Sequence, residues 1–217
     1  MIKIESVVIS SPEQMVNIIG GMRNPMNSWD RSDTIYSNNE IVKQIGDKDY
    51  ELMLKLSKAG TDHRKFMRMM QVIIDVTAPL YWWKEFDTYK VGTVTNSCST
   101  MHKITNKEFT LEDFSYEHLL GYEDINWGDT VPFATLEYVI NALNIYRQKY
   151  IETKDKKYWW QIIQILPSSY NQKRTVSLNY EVLANMYYAR KSHKLDEWRN
   201  FCKWIETLPY NELILNK

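Results

Sequence analysis

"MQVIIDVTAPLYWWKEF", residues 70–86, decides how the rest of the chain is read. Val72, Ile73, Ile74 and Val76 form a short β-branched apolar run, which predicts a buried strand over residues 70–78. Pro79 has a fixed φ and no N–H, so it suits a first helical turn, and "PLYWWKEFDTYK" is predicted as a helix opened by Pro79.

Working outward toward the N-terminus, "IKIESVVIS" is β-rich and reads as a first strand. "SSPEQMVNIIGG" reads as a helix with Ser11 as N-cap, Pro12 in the first turn and Gly20-Gly21 as its end. Residues 22–46 are polar and irregular, which suggests a functional loop or an oligomer arm. "DKDYELMLKLSKAG" is predicted as a helix capped by Asp47 and stopped by Gly60.

Toward the C-terminus, Thr110 is expected to cap a helix in "LEDFSYEHLLG". Residues 135–151 place Leu136, Val139, Ile140, Leu143, Tyr146 and Tyr150 at helical spacing. "KYWWQIIQIL" continues helical and stops before Pro167. "TVSLNYEVLANMYYAR" and "LDEWRNFCKWIETL" read as two more helices. The sum is a helix-rich α+β chain with one small sheet, expected as a single domain over residues 1–217.

Lys plus Arg number 27 and Asp plus Glu 27, so net charge is zero and neither duplex nucleic acid nor an anionic membrane is expected as partner. No run approaches the 18 apolar residues of a membrane span, and "MIKIESVVIS" lacks a signal-peptide core, so a cytoplasmic protein is expected. Eight Trp and 15 Tyr favour interfaces and oligomerisation. Cys98 and Cys202 form no CxxC pair, and His63, His102, His118 and His193 have no ligand spacing, so no metal site is expected.

Two regions carry candidate chemistry. "FDTYKVGTVTNSCSTMHK", residues 86–103, crowds small hydroxyls around Cys98, which reads better as a packed thiol than as a nucleophile. Asn179 and Arg190 lie about three helical turns apart, with Glu181 and Asn185 on a neighbouring face. Such a helix suits either a planar anionic ligand or polar contacts to its own loops.

The order of these pieces resembles the flavin-dependent thymidylate synthases, the ThyX family. That family has a strand ending Val-x-Ala-Pro, a helix, and then R-H-R-x-x-S-x-N-x-x-S-x-R-Y. Val76, Ala78 and Pro79 match the strand. Counting on without a gap puts Thr88, Tyr89 and Lys90 on Arg-His-Arg, and Thr93, Thr95, Cys98, Thr100 and Met101 on the later positions, with none identical. A second block follows Leu166-Pro167. There Asn179, Glu181, Asn185 and Arg190 fall on Asn, Arg, Asn and Arg. His193 falls near a family His once one residue is gapped, His63 lies in a segment similar to the flavin-side His region, and Ile163 stands where the family often has another Arg.

The resemblance implies a ThyX-like fold, with a small, mostly antiparallel sheet packed with several long helices, in a divergent and phage-like member with a substituted motif. It implies nucleotide contacts from Arg190, Thr88, Lys90, Thr93, Cys98 and Thr100. Cofactor contacts are implied for Asn179, Asn185, His63, His193 and Tyr89, with no catalytic residue assigned. FAD is the implied cofactor, and NADPH and methylenetetrahydrofolate enter only if the family chemistry is retained. The implied partners are dUMP or an analogue and further copies of the chain in a homotetramer. Threonine in place of arginine exchanges a bidentate charged contact for one neutral hydrogen bond, so weak thymidylate synthase activity is expected unless Arg23, Arg31, Arg64, Arg68, Lys173 or Arg174 compensates. Three functions stay open: a flavin-dependent enzyme, a non-catalytic nucleotide-binding or sequestering protein, and an interaction protein with a vestigial pocket.

Overall fold

The computed structural model of the chain describes residues 1–37, 41–126 and 128–216. Four strands form a small antiparallel sheet in the order β1-β4-β6-β5. They are β1 (Lys3–Ile9), β4 (Gln71–Pro79), β5 (Val94–Ser97) and β6 (Asn171–Asn179). The apolar run of β4 is one-sided. Val72, Ile74, Val76 and Ala78 are buried, while Ile73 between them is 43% exposed, as the two-residue period of a strand requires. Pro79 ends the strand rather than opening the helix, and α3 runs over Leu80–Phe86, short of Lys90.

The largest departure from the sequence reading is β6. The segment expected to begin a helix at Thr175 is extended as far as Asn179. Val176 and Leu178 are buried and Thr175 is exposed, so the residues alternate between the two faces of the sheet. Neighbouring strands supply the hydrogen-bond ladder, and local helix propensity yields to it. Helix α7 begins only at Tyr180.

The chain divides into two compact units, and β4 and β6 pass from one into the other. The first comprises Met1–Lys3, Thr77–Phe86 and Ser97–Arg174. Its core gathers Ile104, Phe109, Phe114, Leu136, Leu143 and Ile162. Helix α4 (Thr100–Lys103) precedes α5 (Pro132–Thr153) and α6 (Lys156–Ile165). The last two are separate helices, because Lys154 is left-handed (φ 56°) and the Asp155 carboxylate caps the Lys157 N–H at 2.9 Å. Ile163 packs against the apolar cluster, where a cation would be stranded. Thr110 caps only a single 3₁₀ turn, Leu111–Asp113, not the expected helix. Phe114 then bridges Tyr170 in extended conformation, and its burial pulls the chain out of helical register.

The second unit comprises Ile4–Val76, Asp87–Asn96 and Thr175–Lys217. Helix α1 (Pro12–Arg23) is capped by Ser11 in a reciprocal pair with Gln14. It runs through Gly20-Gly21, because Met22 and Arg23 are buried and the Arg23 guanidinium pairs with Asp49 at 2.5 Å. Helix α2 (Asp47–Lys58) is not capped by Asp47. The Asp33 carboxylate accepts from the Lys48 and Asp49 N–H groups at 3.0 and 3.1 Å. Asp33 belongs to the segment expected to be irregular, which also contains the antiparallel pair β2 (Ile35–Tyr36) and β3 (Val42–Gln44). Residues 38–40 of that segment lie outside the described residues.

Helices α7 (Tyr180–Arg190), α8 (Asp196–Ile205) and α9 (Glu212–Leu215) complete this unit. Trp198, Phe201, Cys202 and Ile205 repeat at i, i+3, i+4 and i+7, and all are buried. Burial pushes the Cys202 thiol up to about 12, so it is packing rather than a nucleophile. Among the described residues, no helix is long and apolar enough to cross a membrane, and no group of three His, Cys, Asp or Glu side chains could hold a metal ion.

Candidate functional site

Helix α7 carries charged chemistry at both ends, within the second unit. At its start, Asn179 is the N-cap and not a helical residue. Its Oδ1 accepts the Val182 N–H at 3.1 Å. Asn179 therefore does not stand on the helix face that Arg190 ends. Gly92 presses on this cap with φ +78°, and a Cβ there would stand 2.9 Å from Val182 Cγ2 and 3.0 Å from Asn179 Nδ2. Only glycine combines that conformation with that approach.

One residue into the helix, Glu181 is buried between two arginines. Arg64 donates from Nε to Oε1 at 3.2 Å, and Arg68 donates from Nε to Oε2 and from Nη2 to Oε1, the latter at 3.4 Å. Arg64 also donates from Nη2 to Asn185 Oδ1 at 3.3 Å. Burial pushes the Glu181 carboxyl upward, but the hydrogen bonds and charges of Arg68 and Arg64 outweigh it and leave it below the ordinary value. One carboxylate and two guanidiniums sum to +1, the charge of the single arginine that the family resemblance puts at residue 181.

At the far end, Arg190 is half-buried on an aromatic shelf. Its Nε donates to the Tyr89 hydroxyl at 3.0 Å. Its Cζ lies 4.8 Å from the Trp198 ring centre and 5.6 Å from that of Tyr89. The His193 ring lies edge-on to Trp198 at 6.4 Å, and its Nδ1 accepts the Leu195 N–H at 3.2 Å. Stacking on the rings and the hydrogen bond to Tyr89 fix the direction of this guanidinium, a planar group whose chemistry suits a carbonyl or phosphate oxygen.

The structure brings together Arg190, Tyr89 and His193, and separately Asn185, Glu181, Arg64 and Arg68. Thr88 and Lys90 are exposed on the loop that carries Tyr89, and Thr93 turns its hydroxyl back onto the Tyr89 carbonyl. Cys98 and Thr100 belong to the first unit. Cys98 is exposed, its N–H donates to Lys173 O at 3.0 Å, and its carbonyl accepts from Gln172 Nε2 at 2.9 Å. His63 lies outside both clusters, in the lining of a cleft beside α1 and α2. Sequence reasoning missed Trp198 and the packing role of Gly92. Trp198 offered no signal beyond its place in the apolar stripe of α8, while a lone glycine in a hydroxyl-rich loop was a usable one.

On the cofactor side, hydrogen bonds within the chain occupy one acceptor atom of each of three implied contacts. Asn179 Oδ1, Asn185 Oδ1 and His193 Nδ1 accept hydrogen bonds from the chain itself, and residue 181 is an anion.

No protein-family model and no curated protein sequence matches the chain. Solved structures do match its fold. A flavin-dependent thymidylate synthase ThyX from Helicobacter pylori, complexed with FAD and dUMP, superposes with a TM-score of 0.63 at 16% identity, over 99% of this chain and 96% of its own. The UMP/dUMP methylase PolB from Streptomyces cacaoi, bound with 5-Br dUMP, superposes with a TM-score of 0.61 at 13% identity, over 100% of this chain and 95% of its own. The chain therefore has the ThyX-like fold over nearly its whole length.

Proposed function

We propose that the protein binds a pyrimidine nucleotide of the dUMP or UMP type on a ThyX-like scaffold. The observation that carries this reading is Arg190 held on Tyr89 and Trp198, a preoriented cation in a fold whose solved neighbours include dUMP complexes. In this reading Arg190 meets a base carbonyl or phosphate oxygen, and Thr88, Lys90 and Thr93 supply weaker contacts from the adjoining loop. Cys98 and Thr100 would join them in an assembled homotetramer with sites between subunits.

A second reading is favoured by the groups on the cofactor side. With Asn179, Asn185 and His193 engaged internally, the scaffold holds the nucleotide without flavin and acts by sequestering it. NADPH and methylenetetrahydrofolate then have no role. Visible absorbance of the purified protein separates the readings: a flavin band supports the enzyme and a colourless protein supports the sequestering form. Calorimetric titration with dUMP and UMP tests the nucleotide proposal common to both, and absence of binding to either overturns it. Light scattering tests the assembly, and a mass of one chain at micromolar concentration overturns the homotetramer.

A further inference from the structure

Arg190 is the final residue of α7. The last turn of a helix lacks onward hydrogen bonds and is the first part to fray. Tyr89 and the Trp198 ring act on the Arg190 side chain, so the turn that carries it needs anchors of its own.

Two half-buried tyrosines supply them. The Tyr187 hydroxyl donates to Glu206 Oε1 at 2.8 Å, at the C-terminal cap of α8. The Tyr187 carbonyl accepts the Lys191 N–H at 2.9 Å and meets the Cys202 thiol at 4.0 Å. Helix α8 also carries Trp198, so Tyr187 ties the turn of Arg190 to the element that supplies its shelf. Burial and the Glu206 carboxylate push the Tyr187 phenol up to about 12, so it remains a donor at neutral pH. The Tyr188 hydroxyl donates to the Leu215 carbonyl at the end of α9, where Leu213 and Ile214 are buried. The two rings meet edge-on at 5.7 Å, and Lys191 Nζ lies 5.8 Å from the Tyr187 ring and 5.1 Å from that of Tyr188. Consecutive helical residues point about 100° apart, so the two phenols hold the turn from two directions.

We infer that Tyr187 and Tyr188 are positioning residues for Arg190, tying the last turn of α7 to α8 and to the end of α9 so that the guanidinium meets the nucleotide in one orientation. The inference rests on the nucleotide reading proposed above, and both tyrosines act on the ligand only through Arg190.

The test is the Tyr187→Phe/Tyr188→Phe variant, which removes two hydroxyls and keeps both rings. Nitrogen-15 NMR of the arginine Nε–H groups, with the Arg190 signal assigned through Arg190→Lys, reads the order of the guanidinium without any ligand. The Arg190 Nε–H is expected to exchange with water at least about tenfold faster in the variant than in the native chain. In calorimetric titration the dUMP affinity is expected to fall about threefold to tenfold, and to fall no further when the two hydroxyls are removed from the Arg190→Ala chain. Tyr180→Phe removes the hydroxyl that donates to the Pro209 carbonyl at the opposite end of α7. It is expected to lower the melting temperature and leave the Arg190 signal and the affinity unchanged. An unchanged Arg190 signal in the double variant, or the same change caused by Tyr180→Phe, overturns the inference. Failure of the native chain to bind dUMP or UMP overturns the nucleotide reading instead, and the Arg190 signal still decides whether the tyrosines position the guanidinium. Should the double variant melt below the assay temperature, each single variant carries the same test, with a severalfold change in exchange expected.

Discussion

The two ends of α7 use arginine in opposite ways. At the start, Arg64 and Arg68 converge on one buried carboxylate, Glu181, and Arg64 also reaches Asn185. At the finish, Arg190 lies against two aromatic rings and donates to a phenol. A buried guanidinium facing a carboxylate is neutralised, and its worth lies mainly in the penalty of leaving it unpaired. A guanidinium stacked on rings keeps its charge and is aimed. The first arrangement holds the helix to the segment before β4, and the second fixes the direction of a guanidinium by packing it on two rings. Charge count alone would treat the two ends as equivalent.

The largest expected effect is at the buried end. Glu181→Gln leaves Arg64 buried without its counter-ion and is expected to lower folding stability by about 3–5 kcal/mol at neutral pH, measured by urea denaturation. Its pH dependence has a definite sign. The carboxyl of Glu181 is lowered in the folded state, so its stabilisation is fully present above the ordinary glutamate value of about 4.3 and is lost as pH falls through the lowered value. The gap between native and variant stability should therefore close in acid. A gap that persists or widens there would place the ion cluster outside the stability of the fold.

Arg190→Ala tests the other end. It is expected to weaken dUMP by roughly tenfold to a hundredfold, or about 1.5–3 kcal/mol, in calorimetric titration. The melting temperature should fall far less than for Glu181→Gln. Unchanged affinity with a large drop in melting temperature would make both ends of α7 structural and remove the contrast.

A smaller effect is expected where the two regions adjoin. Gly92→Ala puts a Cβ against Val182 and Asn179 at a positive φ, at a cost of about 1–2 kcal/mol. Because Gly92 lies three residues after Tyr89, the variant should also loosen nucleotide binding, and a stability loss with untouched affinity would separate loop from site. Asn179→Ala removes only the cap of α7 and is expected to cost about 1 kcal/mol with little change in affinity. A large affinity loss there would return Asn179 to the ligand.

Much of the architecture was legible locally. Ser11, Pro12, and the spacing of Leu136, Val139, Ile140 and Leu143 announce their helices, because capping and amphipathic period are short-range effects. The order Val76-x-Ala78-Pro79, followed by Leu166-Pro167 and Asn179 to Arg190, carried enough of a pattern to imply the fold at identities of 13–16% to its solved neighbours. The sequence offered Arg64 and Arg68 only as two of six basic residues, with Arg23, Arg31, Lys173 and Arg174, that could replace the substituted cations.

The structure alone decided the rest, for one physical reason: these features depend on partners distant along the chain. Thr175 to Asn179 is a strand because its neighbours in the sheet supply hydrogen bonds that a local helix would otherwise make. Glu181 is an ion-pair centre rather than a lost cation because residues 64 and 68, more than 110 positions away, fold against it. Trp198 supports Arg190 because α8 turns back to pack near the end of α7, and no local spacing encodes that return. Composition and period determined which segments could be helix or strand, while the burial of charge next to charge, and of charge on an aromatic ring, arose only from tertiary packing.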